Sequence, residues 1–277
     1  MKRLTRFAAL VALLSIPTAW AEPVVVTFES AGATAAVITP TRDAFRAAIG
    51  GGTVAGANGS FGGFRREINW DGVPDARADP NPLPADFFNV NSPRGVVFST
   101  PGTGFMVSAN AGLAAPVLFG FNSDFQTFSS QRLFTAVNSN ITDVHFFIPG
   151  TANATTTSAF GLVFTDVEVA GLTKLEFFDA SDVLIYSHNA LVAVNQGLSF
   201  LGATVTGGSI SRVRITSGQN TIVSNRVLGN PNDDVVVMDD FLYAEPGQAI
   251  PEPSSLALAS LALVCGWALS RRRRDGD

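Results

Sequence analysis

Thr142-Asp143-Val144-His145-Phe146-Phe147-Ile148 places Val144, Phe146 and Ile148 on one side of an extended chain and Asp143 and His145 on the other. Successive side chains of a strand point to opposite faces, so this alternation predicts a strand with one covered face. The pattern continues outward from it. Val213 and Ile215 follow Ile210 as apolar positions, while Arg212 and Arg214 between them are expected to face solvent. Residues 174–178 and 183–186 read as strands joined by a turn at Asp179-Ala180-Ser181-Asp182, and residues 160–169 and 24–28 read as two more. Residues 235–238 lead into Phe241, Leu242 and Tyr243. Residues 96–98 and 105–107 flank Pro101-Gly102-Thr103-Gly104, which reads as a turn between paired strands. Strands this short and this closely spaced predict a mainly β chain, a single jelly-roll-like antiparallel β-sandwich.

One short N-terminal helix is expected beside it. Thr39 or Thr41 serves as its cap, Pro40 suits the first turn, and Ala44, Phe45, Ala48 and Ile49 recur at helical spacing before Gly50. Arg42, Asp43 and Arg46 are assigned to the opposite, exposed face. Beyond it, seven glycines fall between Gly50 and Gly63 and five prolines between residues 71 and 93. So long an irregular stretch is expected to be an ordered excursion pinned by Phe61, Phe64, Ile68, Trp70, Phe87 and Phe88.

Both ends of the chain read as addresses. Lys2, Arg3 and Arg6, the apolar residues 7–16 and Ala19-Trp20-Ala21 have the order of a secretory signal peptide, cut by signal peptidase before Glu22. At the other end, Pro251-Glu252-Pro253 precedes an apolar run over residues 256–269 and then Arg271, Arg272, Arg273 and Arg274. The run is short against the ~20 residues of a stable span, and the arginines hold its end in the cytoplasm. A plain C-terminal membrane anchor fits these residues. Their order also resembles the PEP-CTERM sorting signal of exopolysaccharide-producing Gram-negative bacteria. That resemblance implies recognition by an exosortase near Pro251-Glu252-Pro253, transient anchoring in the inner membrane, and display at the cell surface or in the extracellular matrix. The expected division is therefore a signal peptide over 1–21, a β-sandwich domain over 22–249, and a sorting signal with a transmembrane helix over 250–277. Residues 65–74 and 87–95 further resemble a pattern found in uncharacterised secreted bacterial proteins, which brings no activity with it.

Setting the addresses aside changes the charge. Without Lys2, Arg3, Arg6 and the four terminal arginines, 11 of 18 basic residues remain; without Glu252, Asp275 and Asp277, 20 of 23 acidic ones do. A body near −9 argues against nucleic acid as a partner. The only cysteine, Cys265, lies in the tail, so no disulfide staples the body.

Catalytic motifs are absent. No Gly-x-Ser-x-Gly or His-Glu-x-x-His occurs, and the two histidines are His145, expected to pair with Asp143 on a strand, and His188, expected in a turn. A carboxylate pair drawn from Glu29, Glu67, Asp71, Asp166 and Glu168 keeps a glycan-active hydrolase open as the alternative function. For the acids the leading expectation is metal. An early strand ending in Glu29 and a last strand opening with Asp239 and Asp240 resemble the terminal strands of carbohydrate-binding jelly rolls, which implies a structural Ca²⁺ tying those strands together. A second oxygen-rich cluster is Asp71, Asp75, Asp79 and Asn81. Sugar sites need aromatic platforms, and Trp70, flanked by Asn69 and Asp71, is the candidate in the body, although a buried rim anchor is the role expected of it first. The leading expectation is a non-enzymatic surface or matrix protein whose body binds exopolysaccharide or serves structural adhesion.

Overall fold

The computed structural model describes residues 22–109, 117–223, 228–230 and 233–247. The signal-peptide segment and the whole tail, from Pro251 through Arg274, lie outside the described residues. Thirteen strands and one long helix follow in order: β1 (Val24–Gly32), α1 (Ala35–Ile49), β2 (Ser60–Phe61) and β3 (Arg65–Ile68). A one-turn helix α2 (Phe87–Val90) precedes β4 (Val96–Ser99), β5 (Gly104–Val107), β6 (Phe134–Val137) and β7 (Ile141–Phe146). The remainder is β8 (Ala159–Thr165), β9 (Lys174–Phe178), β10 (Leu184–Asn189), β11 (Leu198–Thr206), β12 (Arg212–Thr216) and β13 (Val237–Ala244).

These form two antiparallel sheets, as the alternating patterns predict. The eight-stranded sheet runs β1-β11-β8-β13-β3-β2, with β6 on β13 and β5 on β6; the five-stranded sheet runs β10-β9-β12-β7-β4. Phe160, Leu162, Phe164, Leu201, Phe241 and Tyr243 of the first meet Val144, Phe146, Leu175, Phe177, Val213 and Ile215 of the second in one core. Burial of so much aromatic and aliphatic surface drives the sheets together at ~25 cal/mol per Å².

The larger sheet is covered on its other face too. Ile38, Phe45 and Ile49 of α1 pack on Ala159, Val163, Leu198, Phe200, Leu242 and Ala244, the residues alternating with those of the sandwich core. Phe45 rests where Gly161 and Gly202 pair across β8 and β11; a Cβ on Gly161 would lie 2.9 Å from the Gly202 backbone and 3.1 Å from the Phe45 ring. The two glycines let the helix approach the sheet.

Four expectations are corrected. The helix starts at Ala35 after Thr34, so Pro40 lies inside it; its apolar contacts with the sheet outweigh the hydrogen bond a proline cannot donate. The segments around Pro101-Gly102-Thr103-Gly104 are not partners: β4 pairs with β7 and β5 with β6, so the turn crosses from one sheet to the other. His188 lies on β10 rather than in a turn. Asp143 does not pair with His145 but accepts from Arg212 at 3.2 Å and from Arg214 at 2.7 and 2.8 Å. The excursion after the helix is pinned as expected by Phe61, Ile68, Trp70, Phe87 and Phe88, all buried, with Val73 and Leu83 beside them, whereas Phe64 is 54 % exposed and is no anchor.

Candidate functional site

Arg42 occupies the helical position that the packing stripe Ile38, Phe45 and Ile49 would give to an apolar residue. Spacings of four, three and four residues keep all four on one side of a helix. Its side chain is accordingly only 12 % exposed. One turn later Arg46 reaches Glu67 of β3, donating from Nε at 2.7 Å and from Nη2 at 2.5 Å.

β3 brings the next pair. Arg66 and Ile68 stand opposite Tyr243 and Phe241 of β13, whereas Arg65 and Glu67 stand opposite Ala244 and Leu242, on the helix side. Arg65 donates from Nε to Glu67 at 3.0 Å and from its two terminal nitrogens to the carbonyls of Gly50 and Gly52 at 2.6 and 3.0 Å. That grip fixes the glycine-rich loop. Gly51 within it has φ +104°, and a Cβ there would sit 2.4 Å from the Phe61 carbonyl oxygen, so glycine is required.

A bulge in β13 supplies the acids. Register against β8 shifts between Met238 and Phe241, both core residues, which leaves Asp239 and Asp240 in the extra length between them. Asp239 accepts from the backbone N–H groups of Phe128 at 2.6 Å, Ser129 at 3.2 Å and Asp240 at 2.8 Å. The Ser129 hydroxyl donates towards both acids, at 3.2 Å to Asp239 and 2.8 Å to Asp240. Burial, and then the adjoining charge of Asp240, push the Asp239 carboxyl well above the ordinary range; burial raises Asp240 as well. Both shifts have the same sign, because two adjacent buried carboxyls disfavour each other's charged form.

Between α1, the glycine loop, β3 and this bulge lies a cleft of about 1010 Å³. Arg42, Arg46, Arg65 and Arg94 border it with Asp43, Glu67 and Asp240; Thr39, Thr53, Asn69, Ser129 and the half-buried ring of Phe128 complete its walls. It is more cationic than the body around it.

The expected calcium ligands do not converge. Glu29 lies on β1, separated from β13 by β11 and β8, about three strand spacings or ~14 Å, whereas ligands of one Ca²⁺ all lie within ~2.6 Å of it. Glu29 instead meets His188 Nε2 of β10 at 2.8 Å, and Thr27 meets the Tyr186 hydroxyl at 3.1 Å, so these side chains clasp the two sheets at one edge. Among the described residues no group of three or more His, Cys, Asp or Glu side chains is gathered closely enough to hold a metal. Asp71 and Asp75 are engaged elsewhere, Asp71 accepting from the backbone N–H groups of Gln131 and Arg132 and Asp75 from the Arg132 guanidinium.

Trp70 is the buried anchor and not the platform. Its ring is 1 % exposed and stacks on Phe134 at 4.0 Å, with Phe88 and Phe241 edge-on at 5.5 and 5.0 Å, so it offers no face to a sugar. Two aromatics line the cleft, Phe61, which is buried beneath the Arg65 guanidinium, and Phe128, which is half-buried. On the outer face of the smaller sheet Ser99 Oγ and His145 Nε2 lie 3.0 Å apart, yet Asp143 is taken by two arginines and no hydrogen bond joins it to the imidazole. That histidine lacks the acid that orients a catalytic base.

Residues 249–274 match the family model described as the PEP-CTERM protein-sorting motif. No curated protein and no solved structure matches the chain. The motif makes this an exported protein with a C-terminal membrane-anchoring sorting signal that an exosortase processes. Among the described residues no helix is long and apolar enough to cross a membrane.

Proposed function

We propose that the body is a non-catalytic glycan-binding module that retains this exosortase-sorted protein on exopolysaccharide, and that the cleft beside α1 is where the glycan binds. The composition of the cleft carries this reading. Hydroxyl and amide groups of Thr39, Thr53, Asn69 and Ser129 line the cleft together with the half-buried ring of Phe128, and saccharides are recognised by such pairings of an apolar ring with hydrogen-bonding groups. What favours binding over hydrolysis is Glu67. Three guanidinium N–H groups hold its carboxylate, whereas a glycosidase needs two acids free to exchange protons or attack.

Retention on polysaccharide isolated from the producing cells tests this. Full-length protein in neutral detergent is expected to bind it, and Phe128→Ala to weaken binding roughly 3- to 10-fold while leaving the melting temperature within a few degrees. Unaltered retention in the variant, or steady release of reducing sugar by the wild type, would defeat the reading.

A further inference from the structure

The body holds nearly two acidic residues for each basic one, yet four of its arginines meet at one cleft. Arg65 and Arg46 are fully engaged by Glu67 and the glycine loop. Arg42 is not. Its guanidinium lies over the Phe128 ring, 4.8 Å from the centroid. Nε is buried and makes no hydrogen bond, although it lies 2.8 Å from the Asp43 carboxylate, and Nη1 is 3.9 Å from Asp240, outside hydrogen-bond reach.

Arg42 is thus ion-paired with Asp43 but under-satisfied in hydrogen bonds, and an acceptor entering the cleft would complete it. The surroundings sharpen the deficit. Burial and the charge of Arg46 hold Arg42 below its ordinary value, and the Asp240 carboxyl facing it is itself raised by burial. Arg94 adds another cation on the far wall, itself desolvated and repelled by Arg66.

We propose that the cleft takes an acidic saccharide, a sugar residue of the uronate type whose carboxylate accepts from Arg42 while its ring lies against Phe128 and its hydroxyls meet Asn69 and Ser129. This rests on the glycan-binding reading above. A planar carboxylate matches the guanidinium fork with two parallel hydrogen bonds, and aromatic contact suits the apolar face of a pyranose. The cleft's volume accommodates more than one sugar unit, so an internal residue of a polymer fits.

Calorimetry on full-length protein in neutral detergent, with oligomers of galacturonate, glucuronate and mannuronate against a neutral galactose oligomer of equal length and against inorganic sulfate, decides it. One acidic oligomer is expected to bind at least about tenfold more tightly than the neutral one, and more weakly as salt rises. Arg42→Met should lose about tenfold or more of that affinity, with Arg42→Lys intermediate. Met keeps the apolar packing on Phe128 while giving up the half-exposed Asp43 pair, so the melting temperature is expected to stay within a few degrees. Equal binding of acidic and neutral oligomers, or full acidic affinity in Arg42→Met, would overturn the acid preference while leaving glycan binding intact. Binding of neither class would remove both readings. Sulfate binding as tightly as the best uronate would mark a site for free anions and overturn the proposal. The comparison of sugars on wild-type protein needs no variant and stands even if a variant fails to fold.

Discussion

At Trp70 the structure assigns packing, the role expected of it first, rather than recognition. The flanking Asn69 and Asp71 made it resemble a sugar platform; its stacking on Phe134 depends on a residue 64 positions away, which no local pattern reveals. Trp70→Ala should therefore destabilise the body by about 3–5 kcal/mol, seen as a lower urea midpoint, and an unchanged midpoint would remove the tryptophan from the core. Arg42 was legible but misread. Its spacing from Ile38, Phe45 and Ile49 places a cation in an apolar stripe, a signal available in the sequence alone. Asp166 offers a pH test. It directly follows β8 with φ +71° and accepts from the Gln196 N–H at 2.9 Å. Burial, with Glu168, Asp124 and Asp234 nearby, pushes its carboxyl up to about 7. Between pH ~4 and ~7 the folded chain holds a proton the unfolded chain releases, so this stabilisation is complete at low pH and lost as pH rises past 7. Asn tolerates the same backbone and keeps the acceptor. Asp166→Asn is expected to raise stability at pH 8 by about 1–3 kcal/mol, less than the full shift implies because the site relaxes, with the gain fading towards pH 4. A lower melting temperature at pH 8 would contradict this origin.

Among the elements, β7 was readable because only one of its faces is covered, so apolar and polar side chains alternate. β11 was not. Both its faces are covered, Leu201, Ala203 and Val205 by the sandwich core and Leu198 and Phe200 by the α1 side, which erases the alternation; Gly202 breaks the run further. The partners of β4 and β5 were equally hidden, since a tight turn between two short strands normally makes a hairpin and here makes a corner. Contact between α1 and the larger sheet depends on the paired glycines. Gly161→Ala would put a methyl group against backbone, which cannot swing aside, and should cost about 1–3 kcal/mol. A melting temperature equal to wild type would show that the helix can lift without penalty. The bulge in β13 was also illegible: Asp239-Asp240 reads equally well as the polar start of a strand.

For the whole molecule, the tail's address was legible because it is written in contiguous residues, Pro251-Glu252-Pro253 through Arg274, and 249–274 match the sorting motif. The cleft was not, because its walls come from residues 35–69, Arg94, Phe128, Ser129 and Asp240, brought together only by the sheet order. That order has a mechanical consequence. The described chain ends at Gly247, three residues beyond β13, and β13 is an interior strand bonded to β8 along one edge and to β6 and β3 along the other. Tension applied through the segment that follows Gly247 would therefore load both hydrogen-bond ladders of β13 at once, whereas an edge strand such as β1 has a single ladder to resist it. A pull from the C-terminal side is received at the middle of the larger sheet.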